Sequence, residues 1–434
     1  MGWKSGVLPL QISDIRTEGL SAVRRKIRNL WRRASVRLNM WLNGSWAIPL
    51  VLLMRALRPV LLIRLGTIDS TRIGHFAYDV AGRITEFRGQ APNIIDLFWL
   101  GPTCNSQWEL MVRRSLPIVQ AARWIDLWNK RIPGGEKHWS LGTSPNTQHQ
   151  GAVLQVPCSG MIPFLPSEDE SALAWLRGKG WADGEPFVCL LVRDSAFLAN
   201  DTMQSEFYSR NGNQHWSYHN YRDSNIEDYV PAMEWLADQG VWVLRMGKIM
   251  HRPIPTRHSR IVDYAFDPGK SDFLDIWLFA NCTGCISTAT GIDAISCVYG
   301  IPSLFLNATP LGGLLAFHQS IWVPKHLQWD GSGLPLTLNE YLLHDYSSSH
   351  KYAHAGIDLV DLSPGELQSA VQEFWLRIDG CWIGSLEDDA RQQRFWTQFQ
   401  AWQDFNIWHH TIHPKSLVGT AWLRSMGERF LEIQ

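Results

Sequence analysis

At 434 residues the chain is longer than one hydrophobic core usually organises, so two domains of ordinary size with extensions are expected. With 45% hydrophobic and 19% charged residues, the composition excludes a disordered or fibrous protein, and a net charge of -1 gives no global reason to expect nucleic acid as a partner. The seven cysteines are scattered and lack the pattern of a disulfide framework. No N-terminal signal peptide is recognisable, and we therefore expect a cytoplasmic protein.

The first periodic segment, residues 16–37, interleaves cationic and apolar residues at helical spacing. Its eight cations are Arg16, Arg24, Arg25, Lys26, Arg28, Arg32, Arg33 and Arg37. Such a basic amphipathic helix can lie on an anionic membrane surface, here the inner face of the cytoplasmic membrane; a solvated helix packed on the chain's own body is the alternative. Residues 46–63 are apolar but interrupted by Pro49, Arg55, Arg58 and Pro59, so no transmembrane span is predicted.

The next segments predict a first Rossmann-like lobe over residues 59–175, after a basic extension over 1–58. Apolar runs at 60–65 and 94–100 indicate strands, and helices are predicted from residue 73, over 105–114 and over 117–129.

The second half alternates strands and helices more clearly. Strands are predicted at 187–192, 241–245, 260–264, 283–287 and 302–306, and helices over 226–239, from Ser271 and over 291–299. This alternation is typical of a parallel sheet covered on both faces, and it predicts a second Rossmann-like lobe over 176–380. A helical tail, 381–434, is predicted to pack back on the N-terminal lobe. The fold class is therefore α/β with two Rossmann-like lobes.

Ligands of doubly wound sheets bind beyond the carboxyl ends of the strands, where helix N-termini offer N–H groups to phosphates. One such turn is 287–293, with Ser287, Thr288, Thr290 and Gly291 leading to Asp293. Small hydroxyl residues and a glycine allow close approach to an anion. Ordinary N-capping is the alternative interpretation.

A second turn follows the strand at 241–245 and contains Arg245, Gly247 and Lys248, which suit a diphosphate clamp. A solvated turn is the alternative. Arg193 and Asp194 end the first strand of the same lobe and should face the same cleft. The phosphate-binding patterns G-x-x-x-x-G-K-[ST] and G-x-G-x-x-G are missing from the expected positions, which argues against an NTPase or an ordinary NAD enzyme.

In the first lobe, Arg72 and His75 follow the opening strand, and His75 is a candidate general base for a sugar hydroxyl; a capping or core histidine is the alternative. The polar stretch 215–223, with His219, Tyr221 and Arg222, is a second candidate on the acceptor side or a surface excursion. The C-x-x-C at 282–285 has no second pair at zinc spacing, so no metal site is expected.

Taken together, these segments resemble a bacterial family of glycosyltransferases of surface-glycan biosynthesis. The resemblance runs over about 59–311 and rests on 72–75, 221–223 with 226–229, 245–248, 271–275 and 287–293. It implies a GT-B architecture in which the N-terminal lobe holds the acceptor and the C-terminal lobe holds a nucleotide-sugar. It also implies that basic side chains neutralise the leaving diphosphate, with neither cofactor nor metal.

The resemblance assigns roles to the candidate residues. The catalytic candidates are His75, Arg193, Arg245 and Lys248. The donor-binding candidates are Arg193, Asp194, Arg245, Gly247, Lys248, Ser271, Asp272, Ser287, Thr288, Thr290, Gly291 and Asp293. The acceptor-binding candidates are Arg72, His75, His219, Tyr221 and Arg222. The acceptor is expected to be a glycan or a lipid-linked glycan. The alternatives are a pyruvyl- or other group-transferase of polysaccharide assembly and a non-catalytic, membrane-peripheral glycan-binding protein.

Overall fold

The computed structural model describes residues 20–88, 91–140, 160–200, 220–409 and 411–432, which form a mixed α/β protein. Within these residues the chain forms two compact units. The first comprises 20–67, 91–99 and 118–140, and the second comprises the remainder.

The described helices are α1 (Leu20–Leu57), α2 (Ile73–Arg88), α3 (Ser106–Ser115), α4 (Ala122–Arg131), α5 (Pro166–Gly178), α6 (Ala196–Asn200), α7 (Val230–Asp238), α8 (Asp272–Asn281), α9 (Asp293–Tyr299), α10 (Leu338–Leu343), α11 (Ser349–His354), α12 (Pro364–Ile378), α13 (Leu386–Ala401), α14 (Phe405–Trp408) and α15 (Thr420–Phe430). The described strands are β1 (Leu62–Ile68), β2 (Ile94–Leu100), β3 (Phe187–Leu191), β4 (Trp242–Arg245), β5 (Ile261–Val262), β6 (Gly284–Ser287), β7 (Ser303–Leu306), β8 (Ser320–Val323), β9 (His326–Trp329), β10 (Ile357–Val360) and β11 (Leu417–Val418).

The first unit contains α1, α4 and most of the paired strands β1 and β2. A bidentate ion pair joins the two strands, because the Arg64 guanidinium donates to both carboxylate oxygens of Asp96 at 2.7 Å. Helix α1 packs on α4, where Ala47 and Val51 are fully buried against Trp128.

The second unit is built on a seven-stranded sheet in the order β11-β8-β7-β6-β3-β4-β5, in which every neighbouring pair is parallel. From β3 the chain adds β4 and β5 on one side, and then crosses back to add β6, β7 and β8 on the other. The strand order therefore reverses between β3 and β6, which is the switch point of a doubly wound Rossmann sheet. The α/β class predicted from the sequence, with its large parallel sheet, is confirmed.

Three predicted helices have different bounds in the structure. The helix expected over 226–239 begins as a 3-10 turn, Ile226–Tyr229, before α7, because Pro231 lacks an N–H group and is best accommodated in a first α-helical turn. Residues 117–121 precede α4, and Ile118 bridges to Phe98 of β2. Helix α1 continues through Pro49 to Leu57, with the proline on its exposed face.

The C-terminal tail contacts the large sheet and helix α12. Strand β11 pairs with β8 through Leu417 and Ile321, which extends the parallel sheet by one strand. Glu373 of α12 accepts hydrogen bonds from the backbone and hydroxyl of Thr420.

Candidate functional site

The second unit contains a cavity of about 570 Å³ at the carboxyl edge of its parallel sheet. Segments that follow β3, β4 and β6 line it, together with the first turn of α2 and the residues before α3. The cavity thus lies at the switch point between β3 and β6, where doubly wound sheets bind their ligands, and its volume suits a small-molecule ligand.

Two arginines form a cationic corner of this cavity. Arg193 follows β3, and its Nε donates to Asp223 at 3.1 Å. Burial lowers the pKa of Arg193, and the neighbouring Arg222 cation lowers it further. The guanidinium of Arg222 donates to the backbone carbonyl of Ala289. The corner thus has two cations that are partly shielded from water and one carboxylate, Asp223, which pairs with Arg193. This excess of positive charge favours an anionic ligand.

The turn 287–293 is held by its own side chains. Asp293 accepts hydrogen bonds from the Ser287 hydroxyl at 2.7 Å and from the Thr290 N–H at 2.6 Å, and the Thr288 hydroxyl accepts one from the backbone N–H of Arg193 at 2.9 Å. Burial raises the pKa of Asp293, although hydrogen bonds from Ser287 and Thr290 oppose the rise. Ser287 and Thr288 are buried and off the cavity wall, whereas Thr290, Gly291 and Asp293 are on it.

The predicted clamp of Arg245 and Lys248 is not formed as expected. Arg245 is fully buried, and it donates to Asp263 at 3.0 Å and to the carbonyl of Arg252 at 3.2 Å, away from the cavity wall. Lys248 is on the wall and half-exposed, with its Nζ 3.2 Å from the carbonyl of Cys104. Arg245 therefore supports the turn, and Lys248 is the cation that can reach a ligand.

Gly247 permits the turn between these two cations. Its φ is 154°, and a Cβ built there would lie 2.6 Å from the Cγ and Sδ atoms of Met250. A side chain at this position would displace Met250, which is itself on the cavity wall. Gly247 is itself on the cavity wall, and the lack of a side chain there leaves room for Met250.

Two further donor candidates, Ser271 and Asp272, lie at the N-terminus of α8. The Ser271 hydroxyl caps α8 by accepting from the N–H of Leu274 at 3.2 Å, as the sequence predicts. Asp272 accepts from the backbone N–H and the hydroxyl of Ser106 at 2.9 and 3.0 Å. Burial disfavours the Asp272 anion, but the Ser106 and Lys248 donors prevail and lower its pKa. Both residues position the cavity and do not line it.

Asp194 lines the cavity, but both its carboxylate oxygens accept backbone N–H groups, those of Ala196 at 2.9 Å and His251 at 3.0 Å. Tyr221 is buried against Tyr352, with ring centroids 5.9 Å apart, and is not on the wall. His219 lies outside the described residues.

The acceptor candidates Arg72 and His75 lie in and next to the first turn of α2 and line the cavity. Burial lowers the pKa of His75 against the opposing effect of Asp69, with a smaller contribution from Arg72, and this favours the neutral imidazole. A close backbone contact holds this turn near the 287–293 loop. A Cβ at Gly74 would lie 3.0 Å from the carbonyl oxygen of Gly291.

Asp275 and Tyr78 also line the cavity, although neither is among the candidate site residues named from the sequence. Asp275, one turn into α8, is buried and accepts the Tyr264 hydroxyl at 2.9 Å; burial raises its pKa to about 6. Tyr78 of α2 is buried, and its hydroxyl has no hydrogen-bond partner among the described residues. Helical spacing could have revealed both residues, because Asp275 is three positions from Asp272 and Tyr78 is three from His75.

Apolar side chains complete the wall. They are Phe197, Ile249, Met250, Phe279, Phe305, Leu315 and Trp322. The cavity therefore combines a cationic edge with an apolar interior, which can hold a ligand with an anionic group and a flat or apolar part. Among the described residues, no group of three His, Cys, Asp or Glu side chains is placed to hold a metal ion.

The strand order and the switch-point cavity define a Rossmann-type α/β protein with an anion-compatible ligand site. No protein-family model matches the sequence, and no curated protein matches it either. Three solved glycosyltransferases are similar to it in structure. The first is a glycosyl transferase family 9 protein from Veillonella parvula DSM 2008, with 8% identity and a TM-score of 0.38 over 61% of this chain and 86% of that chain. The second is the ADP-heptose lps heptosyltransferase II of E. coli, with 11% identity and a TM-score of 0.40 over 73% of this chain and 100% of that chain. The third is the E. coli heptosyltransferase WaaC with ADP, with 10% identity and a TM-score of 0.28 over 61% of this chain and 91% of that chain.

Proposed function

We propose that this protein is a glycosyltransferase of GT-B type that moves a sugar from a nucleotide-sugar to a cell-surface glycan or lipid-linked glycan acceptor. The observation that carries the proposal is the switch-point cavity, with Arg193, Arg222 and Lys248 on its wall. Residues from the predicted acceptor lobe, 59–175, and from the predicted donor lobe, 176–380, line this same cavity.

In this proposal the cationic corner holds the diphosphate of the donor. As the bond between the anomeric carbon and the phosphate oxygen breaks, negative charge develops on the leaving diphosphate. Fixed cations in a part-buried site stabilise that charge, and this is the largest contribution that such a site can make to the rate. Arg193 and Arg222 supply planar guanidinium groups and Lys248 a point charge, so the proposed reaction needs no metal ion.

The acceptor hydroxyl attacks the anomeric carbon and loses its proton. His75 is the proposed base, because burial keeps its imidazole neutral and it is on the same wall as the cations. A neutral imidazole can accept the proton at a ring nitrogen as the new C–O bond forms. Arg72, three residues earlier, would then bind an anionic or polar group of the acceptor.

Nucleotide binding tests the proposal directly. We expect ADP, UDP, GDP or CDP to bind by calorimetry, and the matching nucleotide-sugar to be hydrolysed slowly without an acceptor. Removing one charge-assisted hydrogen bond to phosphate costs about 1.5–3 kcal/mol, so Arg193→Gln should weaken binding on the order of ten- to hundred-fold.

The matched control is Arg177→Gln, because Arg177 lies on α5, pairs with Asp183 and Glu170, and does not line the cavity. Its variant should bind nucleotide as the parent does. If no nucleotide or nucleotide-sugar binds, and phosphoenolpyruvate is consumed with a glycan acceptor, the pyruvyl-transferase alternative replaces this proposal.

A further inference from the structure

Helix α1 has two different faces. On one face Gly44, Ala47 and Val51 pack closely on α4, and a Cβ at Gly44 would lie 2.7 Å from the Trp128 ring. The opposite face carries large apolar side chains that are exposed, among them Trp31 at 74%, Leu42 at 62% and Leu53 at 55%. A surface helix of a water-soluble protein normally has the reverse arrangement, with its large apolar side chains facing the core.

The exposed apolar residues form a stripe along one side of the helix. Ile27, Trp31, Leu38, Leu42 and Leu53 lie at intervals of four, seven, four and eleven residues, each close to a whole number of helical turns. The exposed Ser45 and Pro49 lie between Leu42 and Leu53. Trp41 and Leu52 flank this stripe and are exposed as well. An exposed apolar surface of this length indicates an interaction site.

The charges of α1 indicate what covers the stripe. The sequence has seven Lys and Arg residues between positions 20 and 37 and no Asp or Glu anywhere in α1. An amphipathic helix with large apolar side chains on one face and cations alone among its charged residues fits an anionic lipid surface. A second protein surface would have to supply many carboxylates beside an apolar patch.

Length and composition would also allow part of α1 to cross a membrane. The segment Leu38–Leu57 has 20 residues with a mean hydropathy of 1.2. Its packing opposes that arrangement, because Arg55 makes five hydrogen bonds, with Asn129, Ile132 and Pro133. Helix α4, on which α1 packs, carries the Asp126–Lys130 ion pair. A spanning α1 would have to break these contacts or carry charged groups into hydrocarbon.

We propose that α1 lies in the plane of an anionic bilayer surface, with the stripe from Ile27 to Leu53 inserted at the boundary of headgroups and acyl chains. The face with Gly44 and Val51 remains packed on α4 and holds the first unit against the membrane. This arrangement is independent of the chemistry in the cavity.

Vesicle flotation of the full chain tests this proposal. Binding should be strong to vesicles of phosphatidylcholine mixed with phosphatidylglycerol, weak to phosphatidylcholine alone, and reduced by high salt. The double variant Leu42→Glu with Leu53→Glu should lose about ten-fold in partitioning for each leucine. The matched control is Ile383→Glu with Leu386→Glu, since both side chains are 90% exposed and lie outside α1. It should bind as the parent does.

Two further measurements test whether α1 instead spans the membrane or binds a second copy of the chain. Alkaline carbonate should release the protein from cell membranes, and retention would show a spanning helix and overturn the proposal. In ultracentrifugation without lipid, the parent and the α1 variant should have the same mass. A dimer that the variant dissociates, with vesicle binding unchanged, would make the stripe a self-association surface. Because the substituted side chains are exposed, the variants should keep the parent's thermal unfolding midpoint.

Discussion

Asp275 is a buried carboxylate on the wall of the proposed active site, and replacing it with asparagine should stabilise the protein at neutral pH. Its side chain is 7% exposed, and burial raises its pKa from 3.8 to about 6. Asp275→Asn keeps the shape of the side chain and an oxygen that accepts from the Tyr264 hydroxyl, while it removes the charge.

The raised pKa fixes the sign and the size of this effect. In the unfolded chain the carboxyl group loses its proton near pH 3.9, whereas in the folded protein it keeps the proton until about pH 6. Between these values the unfolded state binds fewer protons, so the free energy of unfolding falls as pH rises. A shift of about two units corresponds to a loss of about 3 kcal/mol that is complete above pH 6.

Thermal unfolding of the parent and of Asp275→Asn across this range measures the effect. We expect equal midpoints near pH 4 and a midpoint several degrees higher for the variant at pH 7. Asp388→Asn serves as a control with the opposite sign. Hydrogen bonds from Arg424, which have the largest effect, and from Ser385 lower the pKa of Asp388, so this variant should be less stable than the parent at pH 7. A difference between Asp275→Asn and the parent that does not change with pH would show that the charge of Asp275 is not its cause.

Three other substitutions test the site. Gly74→Ala places a Cβ 3.0 Å from the Gly291 carbonyl oxygen. It should lower the free energy of unfolding by about 1–3 kcal/mol and weaken nucleotide binding. An unchanged dissociation constant for the nucleotide would contradict this prediction. Because burial lowers the pKa of His75, the acid limb of the kcat/KM profile should lie below pH 6.5, and His75→Gln should abolish that limb while nucleotide affinity stays as in the parent. Gly247→Ala should displace Met250 and weaken nucleotide binding more than Gly365→Ala, a glycine with open space around it.

The parallel sheet could be predicted because its strands are buried on both faces. All residues of β3, β4, β6 and β7 are buried, and such strands appear in the sequence as short apolar runs between turns. Helix α1 could not be predicted in full, since Pro49 and Arg55 indicate an interruption. Tertiary contacts override that local signal, because Arg55 bonds with Asn129, 74 residues further along the chain.

The position of the site could be predicted more readily than the role of each residue in it. The rule that ligands bind at the carboxyl ends of parallel strands requires only the order of strands and helices, and the residues that it selects at 193–194, 247–248 and 290–293 lie on one cavity wall. Which side chains face the ligand depends on the register within each strand and on partners distant in sequence. Arg245 ends β4 and points to Asp263, while Lys248, three residues later, reaches the wall.

The difference between side chains that face the cavity and side chains that support its wall also applies to the 287–293 turn. Its small polar residues hold the shape of the turn. A tight turn between a buried strand and a helix leaves backbone N–H groups without partners, and Asp293 accepts one of them together with the Ser287 hydroxyl. This arrangement holds Ala289 at a φ of 54° and leaves its carbonyl to accept the Arg222 guanidinium. In the proposed site the hydroxyl residues would therefore act on an anion through the loop they shape, and this loop holds Arg222, which the sequence analysis assigned to the acceptor side.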